Sequence, residues 1–175
     1  MKVLAVCGSL QNRSANLELL RKAANLAPRE VEILLFDGIR HLPHFNPDLD
    51  GDAPPAGVPE WRAQLQDCDA VLIASPEYGH SLAGALKNAI DWVIGSGELN
   101  GKPVAITAAV PSSERGRLGL AALRTTLEAV DAVVLGGNPI VRGPGLDAAI
   151  ELLLSELVER AATANFASSA ASQMP

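Results

Sequence analysis

The chain has 175 residues, enough to bury one well-formed core and too few for two comfortable domains. With 48% hydrophobic residues but only 3% aromatic, the interior must be filled mainly by Ala, Val, Leu and Ile, which favours helices packed on a sheet. A formal charge of -6 without any basic run excludes a protein built to neutralise phosphates along a nucleic acid, so nucleic acid is not an expected partner.

Strand-like and helix-like runs alternate from one end to the other. Lys2 to Cys7 reads as a first buried strand, and Asn16 to Leu26 as the helix after it. Val31 to Phe36 is the second strand. Next comes His41 to Pro59, a long loop carrying five prolines and the acids Asp48, Asp50 and Asp52. A proline-rich surface connection is the plainer reading of that loop, and a functional or mobile segment the alternative. The acids lack the Glu spacing of an EF-hand, so calcium is not expected. Trp61 to Gln66 is helical, Ala70 to Ala74 is a strand apolar enough to be buried on both faces, and Ala83 to Ile94 is a helix. Val104 to Ala109 is a fourth strand, Gly119 to Val130 a helix, and the fifth strand falls at Ala132 to Leu135 or at Pro139 to Val141. Asp147 to Ala164 closes the series, with Ile150, Leu153, Leu154, Leu157, Val158 and Ala161 on one helical face. Five strands with crossover helices imply a doubly wound parallel sheet, although periodicity does not give the strand order. The expected organisation is a single domain over residues 1–166 and a small, polar, frayed tail over 167–175.

Cys7 and Cys68 make no metal-like pattern with the histidines and read as buried small hydrophobes. His41 and His44 have no partner of catalytic spacing. No basic and apolar leader precedes the first strand, and no run approaches the roughly 18 apolar residues of a membrane span, so a soluble cytoplasmic protein is expected.

Chemistry concentrates in loops that leave the carboxyl ends of strands, where open α/β sheets bind ligands. After the first strand, Gly8-Ser-Leu-Gln-Asn-Arg-Ser-Ala-Asn16 leads into a helix. Free N–H groups in such a turn and at a helix start suit a phosphate, with Ser9, Ser14 and Asn16 as neutral donors and Arg13 as a charge. Ser14 or Asn16 as a mere helix cap is the competing reading. The segment is neither a P-loop nor a GxGxxG turn, which disfavours nucleoside triphosphates and a Rossmann dinucleotide site. After the third strand, Ser75-Pro-Glu-Tyr-Gly-His-Ser81 brings a rigid backbone, an aromatic surface and several hydrogen-bonding groups. A plain turn with a half-buried Tyr78 is the alternative there. In the helix that follows, Lys87, Asn88 and Asp91 fall on or near the polar side, and a weak i,i+4 pair of Lys87 with Asp91 reads as a solvated face or a subunit contact, not a catalytic dyad. After the fourth strand, Ser112, Ser113 and Arg115 can close over a ligand or form an exposed turn. No Gly-x-Ser-x-Gly elbow is present, which removes the obvious hydrolase reading.

The Gly8-Ser9-Leu10 turn, the Ser14-x-Asn16 element and the words Pro76-Glu-Tyr78 and Leu86-Lys-Asn-Ala-Ile-Asp-Trp92 together resemble the NAD(P)H-dependent FMN reductase family over at least the first two-thirds of the chain. The resemblance implies a flavodoxin-like, five-stranded, doubly wound parallel sheet with helices on both faces, binding FMN and taking electrons from NADPH or NADH. It implies a phosphate held by Ser9, Arg13, Ser14 and Asn16. The ring would meet Pro76, Glu77, Tyr78, Gly79, His80 and Ser81, with the Ser112 loop completing its site. It further implies ping-pong transfer to a small acceptor (quinone, azo compound, free flavin or metal oxyanion) and a homodimer or homotetramer. No catalytic side chain is required, since the flavin carries the chemistry. Because negative charge grows near the ring on reduction, Glu77 is expected turned outward or bound to backbone, with His80 at the mouth. The chain departs from the family pattern at Gln11, where Arg is common, at Gly79, where Asn is frequent, and at Ala83, where Pro is frequent. A flavodoxin-like electron carrier or sensor without NAD(P)H turnover is the rival reading, and an apo partner-binding module the third.

Overall fold

A computed structural model describes the backbone of residues 1–171 and the surroundings of side chains as far as residue 166. Its centre is a five-stranded parallel sheet built from β1 (Lys2–Cys7), β2 (Glu32–Phe36), β3 (Ala70–Ala74), β6 (Pro103–Thr107) and β8 (Val133–Gly136), in the order β2-β1-β3-β6-β8. Two small pairs sit beyond its carboxyl edge: the antiparallel hairpin β4 (Glu77–Tyr78) with β5 (Ser81–Leu82), and the parallel pair β7 (Ala109–Val110) with β9 (Ile140–Val141). Both candidates for the fifth strand are therefore strands, the first in the main sheet and the second in a small pair at its edge.

Alternation along the strands sorts the core into two layers, because successive side chains point to opposite faces. Val3, Ala5, Cys7, Ala70, Leu72, Ala74 and Ala105 face α1 (Ala15–Leu26) and α5 (Leu146–Ala171), which contribute Leu19, Leu20, Ala23, Ile150, Leu154 and Leu157. Leu4, Val6, Val71, Ile73, Val104 and Ile106 face α2 (Val58–Asp67), α3 (Gly84–Asp91) and α4 (Arg117–Glu128), which contribute Trp61, Leu65, Leu86, Ile90, Leu120, Leu123 and Leu127. The alanines all lie on the first face, where α1 and α5 pack against a shallow surface. Each fully buried Leu or Ile contributes about 1.5–3 kcal/mol, so these two layers supply the main driving force for folding. Cys7 and Cys68 are free and buried within the layers, and burial pushes the Cys68 thiol pKa up, away from nucleophilic use.

The proline-rich loop is pinned. Asn88 in α3 accepts from Phe45 N (2.8 Å) and donates to Pro43 O (2.9 Å), and Trp92 Nε1 donates to the same carbonyl (2.8 Å). On its far side Asp50 pairs with Arg62 of α2, which also donates to Trp92 O. Asn88 is thus no solvated polar residue but a two-ended clamp, while Lys87 and Asp91 form the i,i+4 ion pair on the same helix. At the other end of the chain, the α5 backbone continues to Ala171, into the segment expected to fray; residues 172–175 of the expected tail lie outside the described residues. Among the described residues no helix is long and apolar enough to cross a membrane.

Candidate functional site

The strand order reverses between β1 and β3, and three loops meet at the carboxyl edge beside that switch point. The edge is drawn tight there: Gly8 N donates to Ala74 O (2.9 Å), and Ser75 N donates to Thr107 O (3.0 Å). A Cβ at Gly8 would lie 2.7 Å from Ser75 Oγ, so only glycine lets the first and second loops approach this closely.

The first loop ends in a helix start rich in donors. Ser14 is the N-cap of α1 and accepts from Leu17 N through its side chain at 3.4 Å, a long and weak bond. The N–H groups of Ala15 and Asn16 have no intrahelical acceptor by helix geometry and remain available to an anion. Ser9 is buried and its hydroxyl accepts from Gln11 N (3.3 Å), while Arg13 is exposed at the loop's outer end. Asn16 has a second duty that its sequence position does not reveal. Its Oδ1 accepts from Ala109 N (2.8 Å), tying the first loop to the loop after β6 and leaving Nδ2 as its available donor.

The second loop is the β4–β5 hairpin. Gly79 and His80 both take positive φ, 56° and 62°, the requirement for the central pair of a tight type I′ turn. His belongs to the residue types that tolerate this region, and its ring is 80% exposed at the tip. Tyr78 is half-exposed and lines a cleft of about 310 Å³ with Gly8, Leu10, Gln11 and the start of α3.

Glu77 holds the hairpin in place. Its Oε2 accepts from Gly119 N (2.9 Å) in the first turn of α4, a helix whose own N-cap, Gly116, has no side chain to offer. That bond lowers the Glu77 pKa below the ordinary carboxyl value, with partial burial opposing and His80 Nδ1, 3.3 Å from Oε1, adding to the lowering. The carboxylate is therefore turned onto helix backbone, one of the two orientations expected of it, and no other acid occurs between Ser75 and Ala83. Gly119 was read only as a helix start. A Cβ there would lie 2.9 Å from Glu77 Cβ and 3.0 Å from Ser81 O, so the glycine is a docking point for the hairpin. An isolated glycine in the first turn of a helix without a polar N-cap is the signal that points to such an approach.

The third loop starts at Ala108 and carries Ser112, which is exposed and accepts from Arg115 N through its carbonyl (3.1 Å). The structure thus brings Ser9, Ser14, Asn16, Pro76, Glu77, Tyr78 and Ser81 to one edge in contact with neighbouring segments. Arg13, Gly79, His80 and Ser112 lie exposed around it.

Over residues 1–143 the sequence matches the family described as NADPH-dependent FMN reductase. The chain belongs to that family. Among FMN reductase relatives, the NAD(P)H-dependent FMN reductase of Pseudomonas aeruginosa is 41% identical over 137 residues, covering 75% of this chain and 71% of that protein. The quinone reductase of Escherichia coli K12 is 33% identical over 150 residues, covering 82% and 78%. Among solved structures, the flavoenzyme NAD(P)H:(acceptor) oxidoreductase FerB of Paracoccus denitrificans superposes with a TM-score of 0.77 at 28% identity, covering 91% of this chain and 98% of that one. Oxidised flavodoxin 1 of Bacillus cereus, at 19% identity and a TM-score of 0.64 over 91% and 98%, shows the same flavodoxin-like fold. The donor-rich helix start and the hairpin of this FMN reductase family member fit a phosphorylated flavin, since the hairpin's one carboxylate, Glu77, is committed to helix backbone.

Proposed function

We propose that the chain is an FMN-dependent NAD(P)H oxidoreductase for small acceptors, acting as one flavin-binding unit over residues 1–166. The observation that carries this reading is the meeting, at one switch point, of the α1 N-terminal donors with a hairpin whose only acid is turned away. Ser9, Arg13, Ser14, the amide of Asn16 and the free N–H groups of α1 would hold the phosphate. Backbone from Pro76 to Ser81 would lie against the ring, with Tyr78 as an apolar wall and the Ser112 loop closing the far side. When bound, the flavin supplies the redox step, taking a hydride from NADPH or NADH and then reducing a quinone, azo compound, free flavin or metal oxyanion in ping-pong order.

The protein's own contribution is to position and to tune. Backbone N–H groups of the Pro76 to Ser81 loop would favour the extra negative charge of the reduced state, and the Glu77 carboxylate is held on Gly119 N of α4 instead of facing the ring. Its buried free thiols suit a reducing compartment, and the reading is of a cytoplasmic homodimer or homotetramer.

Titration of the FMN-free protein with FMN, followed by flavin fluorescence, tests the site. Arg13→Ala should weaken binding about tenfold, the effect of one lost charge-assisted phosphate bond, and Ser9→Ala less. Steady NAD(P)H oxidation with added quinone completes the case. FMN binding without that oxidation would favour an electron carrier, and failure to bind FMN at all would remove the enzyme reading.

A further inference from the structure

A cavity of about 350 Å³ lies between the first three turns of α5 and the segment that runs from the end of β8 through β9. None of its lining residues is among those assigned to the flavin, so it is a separate place on the molecule. Pro139, Ile140 and Val141 face it from the segment, and Leu152, Leu153 and Glu156 from the helix. Ile140 and Leu153 are buried, whereas Val141 is 40% and Leu152 64% exposed. Single exposed apolar side chains are ordinary on a protein surface, but here two of them border one concavity.

The segment side of the cavity is held in place by backbone bonds. Thr107 Oγ1 donates to Asn138 O (3.0 Å), Ile140 N donates to Ala108 O (2.8 Å), and Arg142 N donates to Val110 O (2.9 Å). On the helix side, Leu153 packs so closely that a Cβ at Gly136 would lie 2.7 Å from its Cδ1. The cavity is thus pre-formed, as small-molecule sites largely are, and its volume falls at the low end of their usual range of about 300–1,000 Å³. That space suits one ring or two fused rings, and covering Val141 and Leu152 with them removes apolar surface from water.

Charge narrows the class of ligand further. Among the described residues, Glu156 is the one charged group on the walls, and it takes part in none of the ion pairs. A carboxylate beside an apolar hollow attracts a cation and repels carboxylates and phosphates, and the net charge of -6 acts in the same direction. The polar cleft lined by Cys68, Asp69 and Lys102 makes no comparable offer. Its lysine is spent on the carbonyls of Leu65 (2.7 Å) and Cys68 (2.6 Å) at the end of α2.

We infer that the cavity beside α5 is a second ligand site, for a small apolar ring compound bearing an ammonium group. The rings lie between β9 and α5, and the ammonium sits on the Glu156 carboxylate. The site goes beyond the reductase reading and does not depend on it.

Calorimetric titration of the purified protein with naphthylmethylamine tests this, beside naphthylmethanol and naphthoate, which carry the same rings with a neutral and an anionic group. The amine should bind about threefold more tightly than the alcohol, the effect of one solvent-exposed ion pair, and naphthoate most weakly. High salt should shrink that preference. Glu156→Gln should abolish the difference between amine and alcohol while leaving the alcohol's affinity unchanged. Leu152→Ser, which strips apolar wall, should weaken both about fivefold. Both positions are exposed, and circular dichroism checks that the variants are folded. Absence of binding, equal affinity for amine and alcohol, or amine binding untouched by both substitutions overturns the inference. A parallel FMN titration keeps the two readings apart: failure to bind FMN removes the reductase reading alone, and failure to bind the amine removes this site alone.

Discussion

Glu77→Ala removes the only side chain that caps the start of α4 among the described residues, and the structure sets the size of the effect. Gly119 N–H loses its acceptor at 2.9 Å, and the helix loses a negative charge at its positive end. A lost N-cap costs typically ~1 kcal/mol and a charge at that end about 0.3–1 kcal/mol, so the variant should be less stable by about 1–2 kcal/mol. For a chain of this size that is a fall in Tm of about 2–8 °C, read by circular dichroism. Glu77→Gln keeps an acceptor and loses only the charge, so its fall should be the smaller. The sign of the pH dependence follows from the lowered carboxyl pKa. A depressed folded-state value means that the carboxylate's stabilisation is fully present above the unfolded value of about 4.3 and is lost as pH falls through the lower folded value. The gap between wild type and Glu77→Gln should therefore be constant from pH 7 to 5 and close under more acid conditions. Equal melting of wild type and Glu77→Ala at pH 7 would refute the capping argument. A gap between wild type and Glu77→Gln that does not close in acid would refute its electrostatic part.

Other substitutions probe the frame around the site. Asn88→Ala strips Phe45 N of its acceptor and Pro43 O of one of its two donors, Trp92 Nε1 remaining, and should cost about 2 kcal/mol, seen as a lower urea midpoint with an unchanged slope. Gly119→Ala gains up to ~1 kcal/mol of helix propensity but forces a methyl against Glu77 and the Ser81 carbonyl, so its Tm should fall. Gly84→Ala, at the start of α3 with nothing within 4 Å of the added carbon, should hold or raise Tm by thermal melting, which separates packing from propensity.

The sheet was legible because its strands are mainly apolar runs that sit between helices with one-sided apolar faces, as in Ala70–Ala74 and the run from Ile150 to Leu157. Strand order was not, since the pattern along a strand does not say which strand lies beside it; the order β2-β1-β3-β6-β8 comes from the structure. Ser14 was readable as a cap from its type alone, and the cap is there. Asn16 could not be read the same way, because its partner Ala109 lies 93 residues along the chain. Asn88 and Trp92 escaped for a like reason. Helical spacing places Asn88 on a polar side, yet that side is covered by the proline loop, whose path no local pattern encodes. The Glu77–Gly119 bond was half visible: the need to turn the carboxylate away from the ring was clear, and the helix that receives it was not.

The hairpin is fastened at its base and unencumbered at its tip. Glu77 and Ser81 rest on Gly119, whereas the space around Gly79 is open and His80 projects outward. The residues that hold the hairpin are thus different from those that its tip exposes. A library at Gly79 and His80 drawn from the few residues that accept positive φ (56° and 62°) would leave the docking of Glu77 and Ser81 on Gly119 untouched. Substitutions at that tip that keep the positive φ need no spare stability acquired elsewhere first.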